Sequence, residues 1–140
     1  MTSLKPWSAL QLGEAIPELV LPPVTRLNLA LYCGSSGDHN PLHVDTDFVR
    51  TTGLPDVIAH GMLSMAWLGR LLTNWVPQTA IREYNVRFAA MTQIGEVITC
   101  KGEVTDKFEH AGEQCVRLSL TTANADGQVK LAGEAVIALA

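Results

Sequence analysis

Apolar residues in the second half of the chain fall at every other position. Val116, Leu118 and Leu120 alternate with Arg117, Ser119 and Thr121 between Glu113 and Ala123, the period of a strand with one face against a core. The same period puts Tyr84, Val86 and Phe88 opposite Glu83, Asn85 and Arg87. It also sets Val129, Leu131, Ala135, Ile137 and Leu139 against Gln128, Lys130 and Glu134. Between these runs, residues 94–104 are rich in β-branched side chains. The links EHAG (109–112) and NADG (124–127) carry the Gly and Asp that hairpin turns select. The pattern predicts an antiparallel meander of four strands.

Before residue 77 the period is helical. Thr25 is placed to N-cap a short helix to about Tyr32, and Asp45 another to about Thr52, each running into a Gly-bearing segment. From Gly61 to Trp75 the chain reads GMLSMAWLGRLLTNW, with Ser64, Arg70, Thr73 and Asn74 as its polar interruptions and Pro77 beyond its end. A helix about 20 Å long at roughly 1.5 Å per residue, apolar on nearly every side, needs to be largely buried. An antiparallel sheet that curls around it meets that need, so the expectation is one α+β domain over residues 1–140 with a long central helix.

Composition narrows the partners. The chain has 140 residues, 47% of them hydrophobic and 17% charged, with a net charge of -4. It is too apolar for a disordered chain. No cluster of Lys and Arg offers a footprint for nucleic acid. Cys33, Cys100 and Cys115 are odd in number and widely spaced, which suits a reducing cytoplasm better than a disulfide framework. Neither a leader peptide nor a run of about 18 apolar residues stands out, so export and membrane insertion are not expected.

The candidate chemistry lies in Ser35–Asp45, SSGDHNPLHVD. Gly, Asp, Asn and Pro are turn residues, and a plain turn is one reading. His39 and His43 stand four apart, as zinc-binding histidines on a helix do. Pro41 weakens that second reading, since it removes a backbone donor and drives Asn40 out of the helical region; no metal is expected. The third reading is acid–base catalysis. A bend at Pro41 lets Asp38 and His43 converge on one water, and a partly shielded carboxylate beside an imidazole can move protons near neutral pH. A second element, Ile58-Ala-His-Gly-Met62, opens the long helix. Its unpaired N–H groups, with Gly61 permitting close approach, form a natural oxyanion site, while His60 is expected to satisfy a loop carbonyl. His39 and Asp45 read as loop or capping residues, His110 as an exposed loop residue and Cys33 as packing.

The string Tyr32-x2-Ser35-x-Gly37-Asp38-x-Asn40-Pro41-Leu42-His43, followed by Ala59-His60-Gly61-Met62, resembles the hydratase-2 motif of MaoC-like dehydratases, the (R)-specific enoyl-thioester hydratases. IAHGML and EYNVRF are especially similar to the motif-bearing subunit of mycobacterial-type (3R)-hydroxyacyl-ACP dehydratases. Many members carry Pro-Gly-Asp before the third long strand, where this chain reads Met91-Thr-Gln-Ile-Gly-Glu96. The resemblance implies a hotdog fold over nearly the whole chain. It implies reversible hydration of trans-2-enoyl-CoA or enoyl-ACP to the (3R)-3-hydroxyacyl thioester, with no cofactor.

In that reading Asp38 and His43 hold and activate the water, and one of them, with Asp38 favoured, returns a proton to C2. The Gly61 N–H binds the thioester oxygen, Asn40 orients the loop or the dyad, and Ser64 either bonds Asp38 or bonds back to its own helix. Met62, Met65, Ala66 and Trp67 are candidates for an acyl tunnel, each with core packing as its alternative. Two hotdogs are expected to pair edge to edge, as a homodimer or with a motif-lacking partner. Two rival functions remain: a hotdog thioesterase, and a non-catalytic thioester-binding partner subunit.

Overall fold

A computed structural model describes residues 4–139. A short strand β1 (Leu19–Val20) is followed by α1 (Arg26–Ser36), a tight turn of 3-10 helix at Pro41–His43, α2 (Thr46–Thr51) and α3 (Gly61–Trp75). Four long strands complete the chain: β2 (Ile81–Phe88), β3 (Thr99–His110), β4 (Glu113–Ala123) and β5 (Val129–Leu139). All pairings are antiparallel, in one sheet of order β1-β3-β4-β5-β2.

The strand alternation of the sequence survives where the core needs it. Val116, Leu118 and Leu120 on β4 and Ala135 and Ile137 on β5 are buried, and Leu68, Leu71 and Leu72 of α3 belong to the same core. α3 seals one stripe, Leu63, Ser64, Leu68, Leu71 and Leu72, while Met62, Ala66 and Arg70 stay on the surface of the single chain. Its limits are those predicted, because His60 ends the loop before it and Pro77 cannot continue it. The helix of 15 residues is too short to cross a membrane, as are the others among the described residues.

Four expectations change. The strands do not form a four-membered meander in chain order, because β2 pairs with β5 and not with β3. Residues 89–98 therefore carry the chain from one side of the sheet to the other. The strand expected over 94–104 starts only at Thr99, since 95–98 bond instead to the N-terminal segment: Gly95 N–H to the Val24 carbonyl at 2.8 Å and Leu21 N–H to the Ile98 carbonyl at 2.9 Å. It then runs to His110, because the turn to β4 shrinks to Ala111-Gly112, both at positive φ, with His110 still paired to Glu113.

α1 extends four residues past Tyr32, through Ser36. Thr25 and Asn28 form a reciprocal capping box at its start, and Gly37, at φ 76, closes it in the left-handed conformation a residue with a Cβ avoids. Lys130, expected on the polar face of β5, is 2% exposed. The register shift at Thr122/Ala123 beside it breaks the strict alternation, and Val129 is turned outward in its place.

Candidate active site

The stretch after α1 is shaped by a chain of short-range bonds. The Asp38 N–H donates to Ser36 Oγ at 3.1 Å, the Asn40 N–H to Asp38 Oδ1 at 3.2 Å, and the Leu42 N–H to Asn40 Oδ1 at 3.0 Å. Each acidic or amide side chain thus takes the N–H two residues on, the local bond that Asp and Asn favour over helix. Pro41 opens the 3-10 turn that Asn40 caps, and this turn presents His43. Asn40 therefore orients both the loop and one oxygen of Asp38. Asp45 caps α2 through the N–H groups of Asp47 and Phe48, and His39 is exposed with Nδ1 3.1 Å from the Gly37 carbonyl.

The turn brings His43 against the segment leading into α3. His43 Nδ1 donates to the Ile58 carbonyl at 2.7 Å, and the Ile58 N–H returns a bond to the Leu42 carbonyl at 3.1 Å. A carbonyl only accepts, so Nδ1 carries a proton, and in the neutral ring Nε2 then holds the lone pair. His60 stacks on His43, with ring centroids 3.8 Å apart and 25° between planes, and meets the edge of Tyr32 at 4.7 Å. Its Nε2 donates to the Asp38 carbonyl at 3.1 Å and lies 3.5 Å from Cys33 Sγ. So His60 does satisfy a loop carbonyl, and in doing so it touches both Asp38 and His43.

Burial holds the His60 imidazole below its ordinary value, against the opposing pull of the Asp38 carbonyl. The neutral ring leaves Nδ1 buried and without a hydrogen-bond partner among the described residues. Cys33 is buried packing, as expected, although its sulfur does face an imidazole.

One carboxylate oxygen of Asp38 and one ring nitrogen each of His43 and His60 lie within 4.8 Å of one another. Such a trio has the donor types for a divalent metal; one nitrogen of each histidine is bonded to a backbone carbonyl, which leaves the other. His39, the other half of the sequence-level metal pair, is not in the group. The spacing of Asp38 and His43 is that of two groups able to share one water. Asp38 itself is exposed, so the shielding expected for its carboxylate is not provided by this chain alone: the loop carrying it lies at the rim.

A cavity of about 340 Å³ opens beside these groups. His43, Ile58, Ala59, Gly61 and Ser64 form one side of it, and Phe88, residues 89–92 and Leu131 the other. Gly61 begins α3, and no acceptor among the described residues takes its N–H. A Cβ at this position would stand 2.9 Å from Cε1 of Phe88, so glycine is what lets the ring lie over the helix start.

Ser64, one turn on, is buried on the same helix face, and no hydrogen bond joins it to Asp38 among the described residues. The four tunnel candidates lie elsewhere. Met62 and Ala66 point outward and the half-buried Met65 offers its carbonyl to Tyr84 Oη at 2.5 Å. Trp67 lines a second cavity with Tyr32, Leu63 and Arg70. Helical period turns 62 and 66 away from residues 61 and 64, and the Met65 carbonyl is taken up by Tyr84 on the sheet side. The far wall, 88–92 with Leu131, escaped the sequence reading, where its one signal was the small, apolar run FAAM after a strand.

The MaoC like domain model matches residues 13–125. Over 116 residues the chain is 31% identical to the (R)-specific enoyl-CoA hydratase of Rhodospirillum rubrum, covering 81% of this chain and 78% of that enzyme. It is 34% identical over 137 residues to the fatty acid synthase subunit beta of Saccharomyces cerevisiae, 90% of this chain but only 6% of that much longer protein. The R-hydratase PhaJ1 of Pseudomonas aeruginosa superposes with a TM-score of 0.84 at 28% identity, over 96% of this chain and 84% of that one.

Proposed function

This chain belongs to the MaoC-like domain family, and from that premise we propose that it catalyses the reversible hydration of trans-2-enoyl thioesters to (3R)-3-hydroxyacyl thioesters, with Asp38 and His43 as the reacting pair. The observation that carries the reading is that Asp38 and His43 approach within 4.8 Å, and that His43 lines a cavity that also takes in Gly61 at the start of α3. The relatives named for (R)-specific hydration support the reaction class.

The chemistry follows from the proton inventory. A water between the dyad donates one hydrogen to the Asp38 carboxylate and the other to His43 Nε2, the acceptor left free by the bond to Ile58. That leaves an oxygen lone pair to attack C3. As the C–O bond forms, electron density moves onto the thioester oxygen, which the Gly61 N–H and the positive end of α3 stabilise. Asp38 accepts the proton from the water and delivers it to C2, so that C3 gains OH, C2 gains H and both residues return to their starting states. Asn40 keeps Asp38 aimed through its N–H, and His60 holds the Asp38 backbone and the His43 ring together.

The whole of residues 1–140 acts as one such domain, working in the cytoplasm without metal or cofactor. A second hotdog subunit completes it along the open edge of β2. On the cavity wall Phe88 and Met91 are 53% and 51% exposed, and the outer edge of β2 carries no strand among the described residues. A copy of this chain is the simplest partner.

Incubation with crotonyl-CoA tests the reaction. Loss of the enoyl-thioester absorbance without release of free thiol is the expected result. Thiol release would instead mark a thioesterase, and no change with short, long or ring-bearing acyl groups, on CoA or on a carrier protein, a binding subunit. Asp38→Asn and His43→Ala should each abolish hydration in a folded protein; activity near wild type in either sinks the dyad.

A further inference from the structure

Behind the cavity wall lies a buried ionic cluster that the proposed chemistry does not use. The Lys130 ammonium, 2% exposed, donates to the Met91 carbonyl at 2.8 Å and to Gln128 Oε1 at 2.8 Å, and stands 3.0 Å from Glu96 Oε1. Glu96 also receives Asn124 Nδ2 at 2.8 Å and the Gln93 N–H at 2.7 Å. Burial alone would raise the Glu96 carboxyl; the bonds from Asn124, Gln93 and Lys130 bring it below its ordinary value instead. Each partner of the lysine is therefore satisfied. A buried pair of this kind is weak support for stability, since desolvating both ions offsets most of their attraction. What it does is hold backbone.

The backbone it holds leads to the dyad. Lys130 grips the carbonyl of Met91 and Glu96 grips the N–H of Gln93, so residues 91–93 are pinned at both ends. The next bonds run to the helix entrance: the Ala59 N–H donates to the Thr92 carbonyl at 2.9 Å, and Ile58 bridges to Gln93. Ile58 in turn supplies the carbonyl that binds His43 Nδ1 at 2.7 Å. Two residues beyond Ala59 stands Gly61.

We propose that Lys130 and Glu96 are positioning residues of the active site: their ion pair clamps residues 91–93, and through the bridges to Ala59 and Ile58 sets the carbonyl that orients His43. The proposal rests on the reading of Asp38 and His43 as the reacting pair. Its physical content is a tautomer. With the Ile58 carbonyl in place, Nδ1 keeps the proton and Nε2 stays free to accept from water; with the clamp released, the bond lengthens and both tautomers are populated.

Two variants test it. Lys130→Met removes the cation at similar length, and Glu96→Gln removes the anion while keeping an acceptor for Asn124. In crotonyl-CoA hydration each should lower kcat by about 10–100-fold, the scale of a small displacement of a catalytic group, with KM changed much less. The imidazole nitrogen NMR signals of His43 should move from the Nδ1-protonated form toward a mixture. A purely structural pair would lower the unfolding midpoint and leave kcat and the His43 signals, measured well below that midpoint, as in wild type.

Glu96→Gln is the milder change and keeps the test open if Lys130→Met does not fold. Wild-type kcat and His43 signals in either folded variant overturn the clamp. His43→Ala separates the two readings: if it keeps activity, the dyad itself fails; if it is dead while Lys130→Met and Glu96→Gln are fully active, only the clamp fails.

Discussion

The loop Gly37–His43 and the Lys130 cluster are both polar, and both bear on the same cavity, yet they are held in opposite ways. In the loop the side chains are mostly exposed, and the bonds from Asp38, Asn40 and Leu42 each reach back two residues. In the cluster the ammonium is 2% exposed and reaches a carbonyl 39 residues away. Water can replace a partner lost from the loop. Nothing replaces one lost from the cluster, where an unpaired charge or dipole is left in the interior. Changes in the loop should therefore remove activity and spare the fold; changes in the cluster should cost stability as well as turnover, and changes in the apolar core stability alone.

The sharpest way to break this contrast is Asp38→Asn. Turnover should fall by about 10²–10⁴-fold, the usual contribution of a positioned acid or base, while urea unfolding moves by no more than about 0.5 kcal/mol. A large loss of stability would show that the loop carries the fold as well. Leu118→Ala probes the opposite side. Leu118 is fully buried between α3 and its neighbouring strands, so the truncation should cost about 2–5 kcal/mol in urea unfolding, with kcat of the folded fraction unchanged.

His60 belongs to both regions, being buried and yet in contact with Asp38 and His43, and its titration shows which side dominates. Its folded pKa is depressed below the ordinary 6.5, chiefly by burial. The unfolded chain thus takes up a proton that the folded chain resists. The stability His60 contributes is complete above about pH 6.5 and is lost as pH falls through that value toward the folded pKa, at no more than about 1.4 kcal/mol per pH unit for one proton. Between about pH 7.5 and 5.5, wild type should lose more stability than His60→Phe, which keeps the stacked ring and cannot titrate. Equal losses would mean that the ring is not desolvated.

The smallest effect is expected at Asp45, two residues past His43. It caps α2, so Asp45→Ala should cost about 1 kcal/mol and leave turnover alone. A loss of activity there would extend the reacting group beyond the dyad.

Much of this contrast is readable before folding. The limits of α3 follow from the apolar run and Pro77, and the alternation on β4 marks Val116, Leu118 and Leu120 as buried, though not Cys115. Asp38 and His43 stand five apart across a proline, near enough for turn chemistry to bring them together. Other features left no such trace. Ser35 and Ser36 are helical although they look like loop, because the left-handed residue is Gly37 and not Gly34. Met62, Met65 and Ala66 are apolar neighbours of Gly61, but the cavity takes the helix face of 61 and 64. Lys130 obeys the polar alternation of its strand, and only the register shift beside it and the approach of Glu96 turn it inward.

By itself, then, the sequence determined what short-range physics controls: a period of two or of helical spacing, capping at Thr25 and Asp45, the chain of bonds from Ser36 to Leu42, and the motif that places Asp38 and His43 on one turn. Each rests on residues within a few positions of one another. The tertiary structure alone decided that β2 lies beside β5, that residues 88–92 wall the cavity, that His60 stacks on His43 and that Lys130 meets Glu96. Those contacts join segments far apart in the chain. Local periodicity is silent about them because it specifies which face of an element is apolar, and not which other element covers it.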